Sequence, residues 1–292
     1  MKAKWLLENE IFEDNTDKLK EILKNKGYAV NTVPYIPFEY PGTLVDRCYE
    51  TYNSEDCVFF YGSINFGRKL RNAWTPGVYL NEKAYECTSY YPVIGDILLH
   101  YDDFIMLPYG VLKEKKEDIF NLIGNSEIFV RPNSGTKEFT GFVTTEQRFD
   151  DDVKLAGFYD VEPELLCLIS GSKNLKREYR FVIVNGNVIS GSLYRDWTIG
   201  YDDINSASYV MKWSKHVDGP VDNQDAWKIA QEAANQYNPD RAWTIDIAET
   251  DKECKVLEIG CFSCAGLYGN DLEVVVDEVS EAAEEEWNEI FK

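Results

Sequence analysis

Residues 242–262 read AWTIDIAETDKECKVLEIGCF: two apolar runs, each interrupted by one acid, Asp246 and Glu258, on either side of a short polar turn. The pattern is that of a hairpin whose strands each carry one charge. If the connecting loop holds three or five residues, the two acids fall on the same face. With three, 251–253, they stand directly opposite, their Cβ atoms ~5 Å apart, and like charges so opposed destabilise a sheet. A hard divalent cation between the carboxylates removes that cost, and Mg²⁺ with nucleotide phosphates is the usual case. An even-length register instead splits the acids onto different faces and leaves an ordinary hairpin.

Upstream, residues 128–145 read IFVRPNSGTKEFTGFVTT. An apolar run ends on Arg131-Pro132, crosses a polar loop to Lys137, and resumes at Phe139, Gly141 and Val143. A turn needs Gly, Asn and Ser but has no use for two cations. Backbone N–H groups around Ser134 and Gly135 can cradle phosphate oxygens, with Arg131 and Lys137 neutralising them. A surface hairpin with two solvated cations is the bland alternative. The P-loop pattern is absent, because no Gly-Lys-Ser/Thr opens a helix.

Between these stretches lies REYRFVIVNGNVISGSLYR (177–195), two apolar runs around Asn185-Gly186, a strong hairpin signal. A two-residue turn sets Arg180 opposite Gly191. Alternation then puts Glu178, Arg180 and Arg195 on one face, and Tyr179, Phe181, Ile183, Val188 and Tyr194 on the core side. The polar face reads equally well as solvent-facing ion pairing or as the wall of a nucleotide cleft.

The rest of the chain sets the frame. Residues 3–33 read as a β-α-β unit whose helix turns Leu19, Ile22 and Leu23 inward, with Thr16 as N-cap and Gly27 as stop. DCVFFYGS is a further buried strand, so a small α/β domain is expected to end near residues 90–100. NQDAWKIAQEAANQY presents Trp227, Ala230, Ala234 and Tyr237 on one helical face. The acidic tail closes with a helix that presents Val275, Val279, Ala282, Ala283, Trp287 and Ile290. At 292 residues, 44% hydrophobic and 14% aromatic, the chain can bury two or three cores. Its net charge of −21 argues against a nucleic-acid groove. No apolar run reaches the ~18 residues of a membrane span, and the acidic start is no signal peptide. Seven cysteines without framework spacing point to reduced thiols in a cytoplasmic setting. Cys261 and Cys264 lack the second pair or histidine that a zinc site needs. His100 and His216, the only histidines, lack a nucleophile signature.

In this order, FVRP…K.F.G (Arg131, Pro132, Lys137, Phe139, Gly141), EYRFVIVNGNVISGSLYR (Glu178, Arg180, Arg195) and WTIDIA…VLEIGCFSCAGLY (Asp246, Glu258, Gly266, Tyr268) resemble the ATP-grasp superfamily. More narrowly they resemble its clade described by two arginines and a lysine, common in bacteriophage and bacterial gene clusters. The resemblance covers roughly residues 100–275. It implies α/β followed by α+β: a pre-ATP-grasp domain over 1–98, then an ATP-grasp domain over 99–292 with lobes at about 99–170 and 171–292. It further implies ATP and Mg²⁺ as cofactors, with phosphates on Arg131 and Lys137 under a loop 133–141. Adenine would lie along the backbone of Leu166, Cys167 and Leu168, Glu178 would join the nucleotide site, and Asp246 and Glu258 would hold the metal. Arg180 or Arg195 would face phosphates or an acidic substrate.

The implied reaction is ADP-forming ligation of a small-molecule or peptide carboxylate to an amine; the sequence does not identify the substrate pair. Phosphotransfer, and nucleotide binding without turnover, are its rivals. The family usually carries an asparagine two residues after the metal glutamate. Here that position is Gly260, so Ser263 or water must substitute, or the second metal position is weak. Substrate recognition is expected in the first domain and in loops such as 196–220.

Overall fold

The structure, a computed structural model, describes residues 1–9, 11–36, 43–198 and 215–292. The first part runs β1 (Lys4–Glu8), α1 (Glu13–Asn25), β2 (Ala29–Val33), α2 (Thr43–Tyr49), β3 (Cys57–Tyr61), α3 (Ile64–Leu70) and β4 (Thr75–Gly77). Its strands form a parallel sheet in the order β2-β1-β3-β4. Every residue of β3 is buried, which is why it reads as an unbroken apolar run rather than an alternating one. Helix α1 starts earlier than Thr16. Its N-cap is Phe12, with no side-chain cap, and Thr16 lies inside the first turn, where its hydroxyl donates to the Ile11 carbonyl at 2.5 Å. Gly27, at φ +72°, follows the helix as expected of a left-handed stop.

The chain continues through α4 (Cys87–Ile94), β5 (Ile105–Pro108), α5 (Lys116–Ile123), β6 (Glu127–Pro132), β7 (Phe142–Thr145), α6 (Phe149–Ala156) and β8 (Leu166–Gly171). Here the strands form an antiparallel sheet in the order β5-β8-β6-β7. The last part holds β9 (Leu175–Val184), β10 (Asn187–Asp196), β11 (Lys215–Gly219), α7 (Gln224–Gln236), β12 (Ala242–Thr250), β13 (Cys254–Cys261) and α8 (Leu272–Phe291). Its antiparallel sheet has the order β11-β10-β9-β12-β13.

The β5–β8 sheet closes over a core of its own, with Ile128, Val130, Phe139 and Phe149 at its centre. The β9–β13 sheet shares its cores with the N-terminal sheet. On one face Tyr179, Phe181 and Ile245 join Leu6 and Phe60. On the other, Val182 and Val184 meet Trp5 and Phe59 through α8. That helix buries Val275, Val279, Ala282 and Ala283 completely, while Ile290, expected on the same stripe, is exposed. In α7, Ala230 and Ala234 are buried, and Trp227 meets Phe181 edge-on at 4.9 Å.

Candidate functional site

Backbone register builds the site. The strands β12 and β13 are separated by residues 251–253, and Asp246 stands opposite Glu258. The route to that pairing is indirect. Near the turn Glu249 faces Cys254 and Ile247 faces Val256, one step out of phase, and the extra residue Leu257 restores the register. On the other side of β12, Asp246 faces Arg180, which in turn faces Ser192. One row, Ser192–Arg180–Asp246–Glu258, therefore crosses four strands on one face.

The β9–β10 hairpin departs from the simple count. Asn185 and Gly186 make the turn with positive φ, +48° and +78°, but register shifts at Ile189 and Tyr194 move Arg180 opposite Ser192 rather than Gly191 and set Arg195 opposite Glu178. The first shift also turns Tyr194 away from the Tyr179 core. Its hydroxyl donates to Glu178 at 2.5 Å and reaches Asp246 at 3.2 Å, on the acid face. A bulge adds one residue without breaking the strand, which a period-2 count cannot register.

Each acid of the pair has its own arginine. Arg180 grips Asp246 through two bonds of 2.8 and 2.7 Å and donates a third to the Gly266 carbonyl at 3.1 Å. Asp246 is 2% exposed. Glu258 is met from the other sheet by Arg131, at the end of β6, at 3.0 Å; its side chain keeps 32% exposure. Burial pushes the Asp246 carboxyl up, against the pull of Arg180. Burial also acts on Glu258, but Arg131, Lys137 and Arg180 outweigh it and hold that carboxyl below its ordinary range. Three of the four cations named from the sequence, Arg131, Lys137 and Arg180, thus come together with the two acids across the two antiparallel sheets.

The loop after Arg131 is tightly tied. Asn133 donates its N–H to the Leu166 carbonyl at 2.8 Å, and its side chain and carbonyl accept the Thr88 and Cys87 N–H groups at the start of α4. Ser134 and Thr136 donate their hydroxyls to the Glu138 carboxylate at 2.5 and 2.7 Å. An internal carboxylate therefore occupies the loop's hydroxyls, not the backbone N–H groups of Ser134 and Gly135 expected to meet phosphate. Gly135 lies against Tyr85, whose Cβ would be 3.2 Å from an added methyl. Lys137 is exposed, at φ +57°.

Some expected roles are used otherwise. Leu166, Cys167 and Leu168 lie on an inner strand paired with β5 on one side and β6 on the other. Their backbone is committed to the sheet and offers no free edge to adenine. Glu178 is 3% exposed and accepts from Tyr194 and, at 2.6 Å, from the Trp197 indole, so it positions two rings. Ser263 cannot stand in for the missing asparagine: it is fully buried and accepts the Tyr79 N–H at 2.9 Å. Gly260 contributes only its carbonyl, which accepts from Thr244 at 3.2 Å. All seven cysteines are free. His100 is buried against Ser170 and Phe129, far down in its titration range at about 3 because burial penalises its cation. Most of the loop 196–220, residues 199–214, lies outside the described residues. Read from the sequence, Asn133 has no role of its own and Tyr194 falls on the core side. Asn133 had a signal, directly following Arg131-Pro132, whereas Tyr194 had none a period-2 count could use.

Among the described residues no three His, Cys, Asp or Glu side chains gather to hold a metal. The residues nevertheless suit Mg²⁺, which binds through one or two carboxylates and takes its other ligands from phosphate and water. Asp246 and Glu258 would be those two, each engaged here by its own arginine.

Residues 115–277 match the family model described as ATP-grasp domain, R2K clade family 2, over more than half of the chain. The chain belongs to this ATP-grasp family. Comparison with curated proteins returns no match. Among solved structures, the chain is similar to D-alanine–D-alanine ligase from Bacillus anthracis, at 13% identity and TM-score 0.61 over 99% of both chains. It is similar to D-alanyl-alanine synthetase A from Vibrio cholerae, at 14% identity and TM-score 0.62 over 99% of both. It also resembles the ATP-grasp ligase PsnB complexed with a precursor variant, Mg and ADP, at 10% identity and TM-score 0.55, over 97% of this chain and 99% of that one. Such low identities establish the ATP-grasp fold alone. No described helix is long and apolar enough to cross a membrane.

Proposed function

We propose that this protein is an ATP-dependent, ADP-forming ligase that joins a carboxylate to an amine. One observation carries the reading: Arg131 reaches from the first lobe (99–170) to Glu258, in the row that Arg180 and Asp246 share on the second (171–292). An ATP triphosphate in that gap would take Arg131 and Lys137 as its cations. Mg²⁺ would be held by Asp246 and Glu258, where it would neutralise phosphate charge and offset the repulsion between the two acids. The relative complexed with Mg and ADP supports the same pairing of ligands.

In the proposed reaction a carboxylate oxygen of the first substrate attacks the γ-phosphorus of ATP, releasing ADP and leaving an acyl phosphate. The amine then attacks the acyl carbon, phosphate departs, and the nitrogen loses a proton. Positioning and electrostatics carry such phosphoryl transfer, which fits a site without a catalytic histidine. A second reading rests on Gly260 and on Glu178, Ser134 and Thr136 being engaged internally: a nucleotide-binding module without turnover. The test is an ADP-release screen with Mg·ATP against amino acids, peptides and polyamines, with Asp246→Asn and Glu258→Gln as controls. ADP, phosphate and a coupled product support ligation, and phosphate left on the acceptor indicates a kinase. Mg·ATP binding with no ADP release across the screen supports the module.

A further inference from the structure

The two arginines of the 177–195 hairpin are in opposite conditions. Arg180 is spent, with three hydrogen bonds to Asp246 and the Gly266 carbonyl. Arg195 donates no hydrogen bond to any of the described residues. Its one ion-pair partner among the described residues, Glu178, lies 3.7 Å away, beyond hydrogen-bond reach, and already accepts from Tyr194 and Trp197. Yet the guanidinium is held in place, stacked 5.8 Å from the Tyr194 ring and 5.5 Å from that of Trp197, with 43% of the side chain exposed. Tyr194 is itself backed by Tyr268, parallel within 9° at 4.7 Å. Directly opposite on β11 stands His216, exposed, its ring edge-on to Tyr268 at 5.1 Å. An oriented five-donor fork that donates to none of the described residues, beside an imidazole and buttressed by three rings, is a planar-anion receptor.

Its place in the sheet says which anion. Arg195 is on β10, three strands from Glu258 on β13, or about 14 Å at the usual strand spacing. Its guanidinium leans to Glu178, while Arg131 meets Glu258 at the other end of the row, so Arg195 stands apart from the cations set for the γ-phosphate. We propose that Arg195, with His216 beside it, anchors a free, non-reacting carboxylate at the far end of the acceptor substrate, as in an amino acid or a peptide C-terminus. This rests on the ligase reading. It also supplies the cation an anionic substrate needs to approach a face already carrying Glu178, Asp246 and Glu258.

The test compares ADP release, with saturating Mg·ATP and a fixed N-acetylated amino acid as the reacting carboxylate, for dipeptide acceptors with free C-terminal carboxylates and for the same dipeptides amidated, each corrected for release without the N-acetylated donor. Wild-type protein is expected to favour at least one acid over its amide, and Arg195→Ala to raise the KM for that acid about 10- to 100-fold, abolishing the preference. Arg195→Lys, which keeps the charge without the fork, should fall between. Thermal unfolding of both variants separates misfolding from lost recognition, and if Arg195→Ala is unfolded the Lys variant decides. Calorimetry of Mg·ATP binding keeps the two ideas apart. No Mg·ATP binding by wild type sinks the ligase reading itself. Intact nucleotide binding with no acid-over-amide preference in the panel, or with a preference that survives Arg195→Ala, overturns the anchor. A loss of Mg·ATP affinity in Arg195→Ala also overturns it and assigns the arginine to phosphate.

Discussion

The two lobes that face each other across the site are built differently. The first closes one face of its β5–β8 sheet over its own small core; its other ties are an apolar seam, where Leu168, Phe104 and Met106 join the shared core, and the polar contacts of Arg131 with Glu258, Asn133 with Thr88 and Lys173 with Asp103. The second cannot be separated from the N-terminal sheet, because both faces of β9 and β12 are packed into cores shared with β1, β3 and α8. The lesson is mechanical. The carboxylate row sits on the half locked by cores on both faces, which is the rigid half, and the phosphate loop sits on the half with a core of its own. A region with a core of its own and a single shared seam is the one expected to open sub-globally before a half packed on both faces.

The sharpest way to test this contrast is to remove Arg180. Asp246 would be left buried and uncompensated in the rigid half, and Arg180→Ala is expected to cost about 3–5 kcal/mol in denaturant unfolding, felt across the second lobe and the N-terminal sheet together. Loss confined to one of them would separate what the shared cores join. Lys137→Ala acts on the other half. It should leave unfolding nearly unchanged and lower the ATP-dependent rate by roughly 10²–10³; an undiminished rate removes Lys137 from the mechanism.

Acid should move the two halves in opposite directions. His100, beneath the first-lobe sheet, is held at about 3, below its ordinary 6.5. The unfolded chain therefore takes up the proton first, and stability is lost as pH falls below 6.5. The loss is about 2 kcal/mol at pH 5. Asp240, where Tyr85 and the Asn81 N–H meet the second lobe, is raised by burial to about 6. Its contribution is complete below 3.8 and disappears as pH rises through 6, so the rigid half gains about 1 kcal/mol at pH 5. Hydrogen-exchange protection, read strand by strand at pH 7 and pH 5 with intrinsic rates corrected, should fall in β6 and β8 and rise, or hold, around β12. A uniform change would erase the distinction.

How much of this was readable in advance follows from what a linear pattern encodes. Period-2 runs and the Asn185-Gly186 turn located the hairpins, and the spacing of Asp246 and Glu258 anticipated their opposition. Bulges are invisible to that count, so Tyr194 was assigned to the wrong face and Arg180 to the wrong partner. Long-range engagement is equally silent in a local reading. Ser263 is consumed by Tyr79, 184 residues away, and the backbone of Leu166–Leu168 by strands on both sides. Thr16 looked like a cap because threonine often is one, yet the chain entered α1 a turn earlier through Phe12.

The most direct measurement is a calorimetric titration of Mg·ATP into the full chain and into Glu258→Gln. The account predicts saturable one-to-one binding by the wild type, weakened by roughly 10-fold or more when the Glu258 charge is removed, and a requirement for magnesium. Equal affinity in both proteins, or none in the wild type, would mean that the opposed acids and the arginines serve only to hold two sheets together.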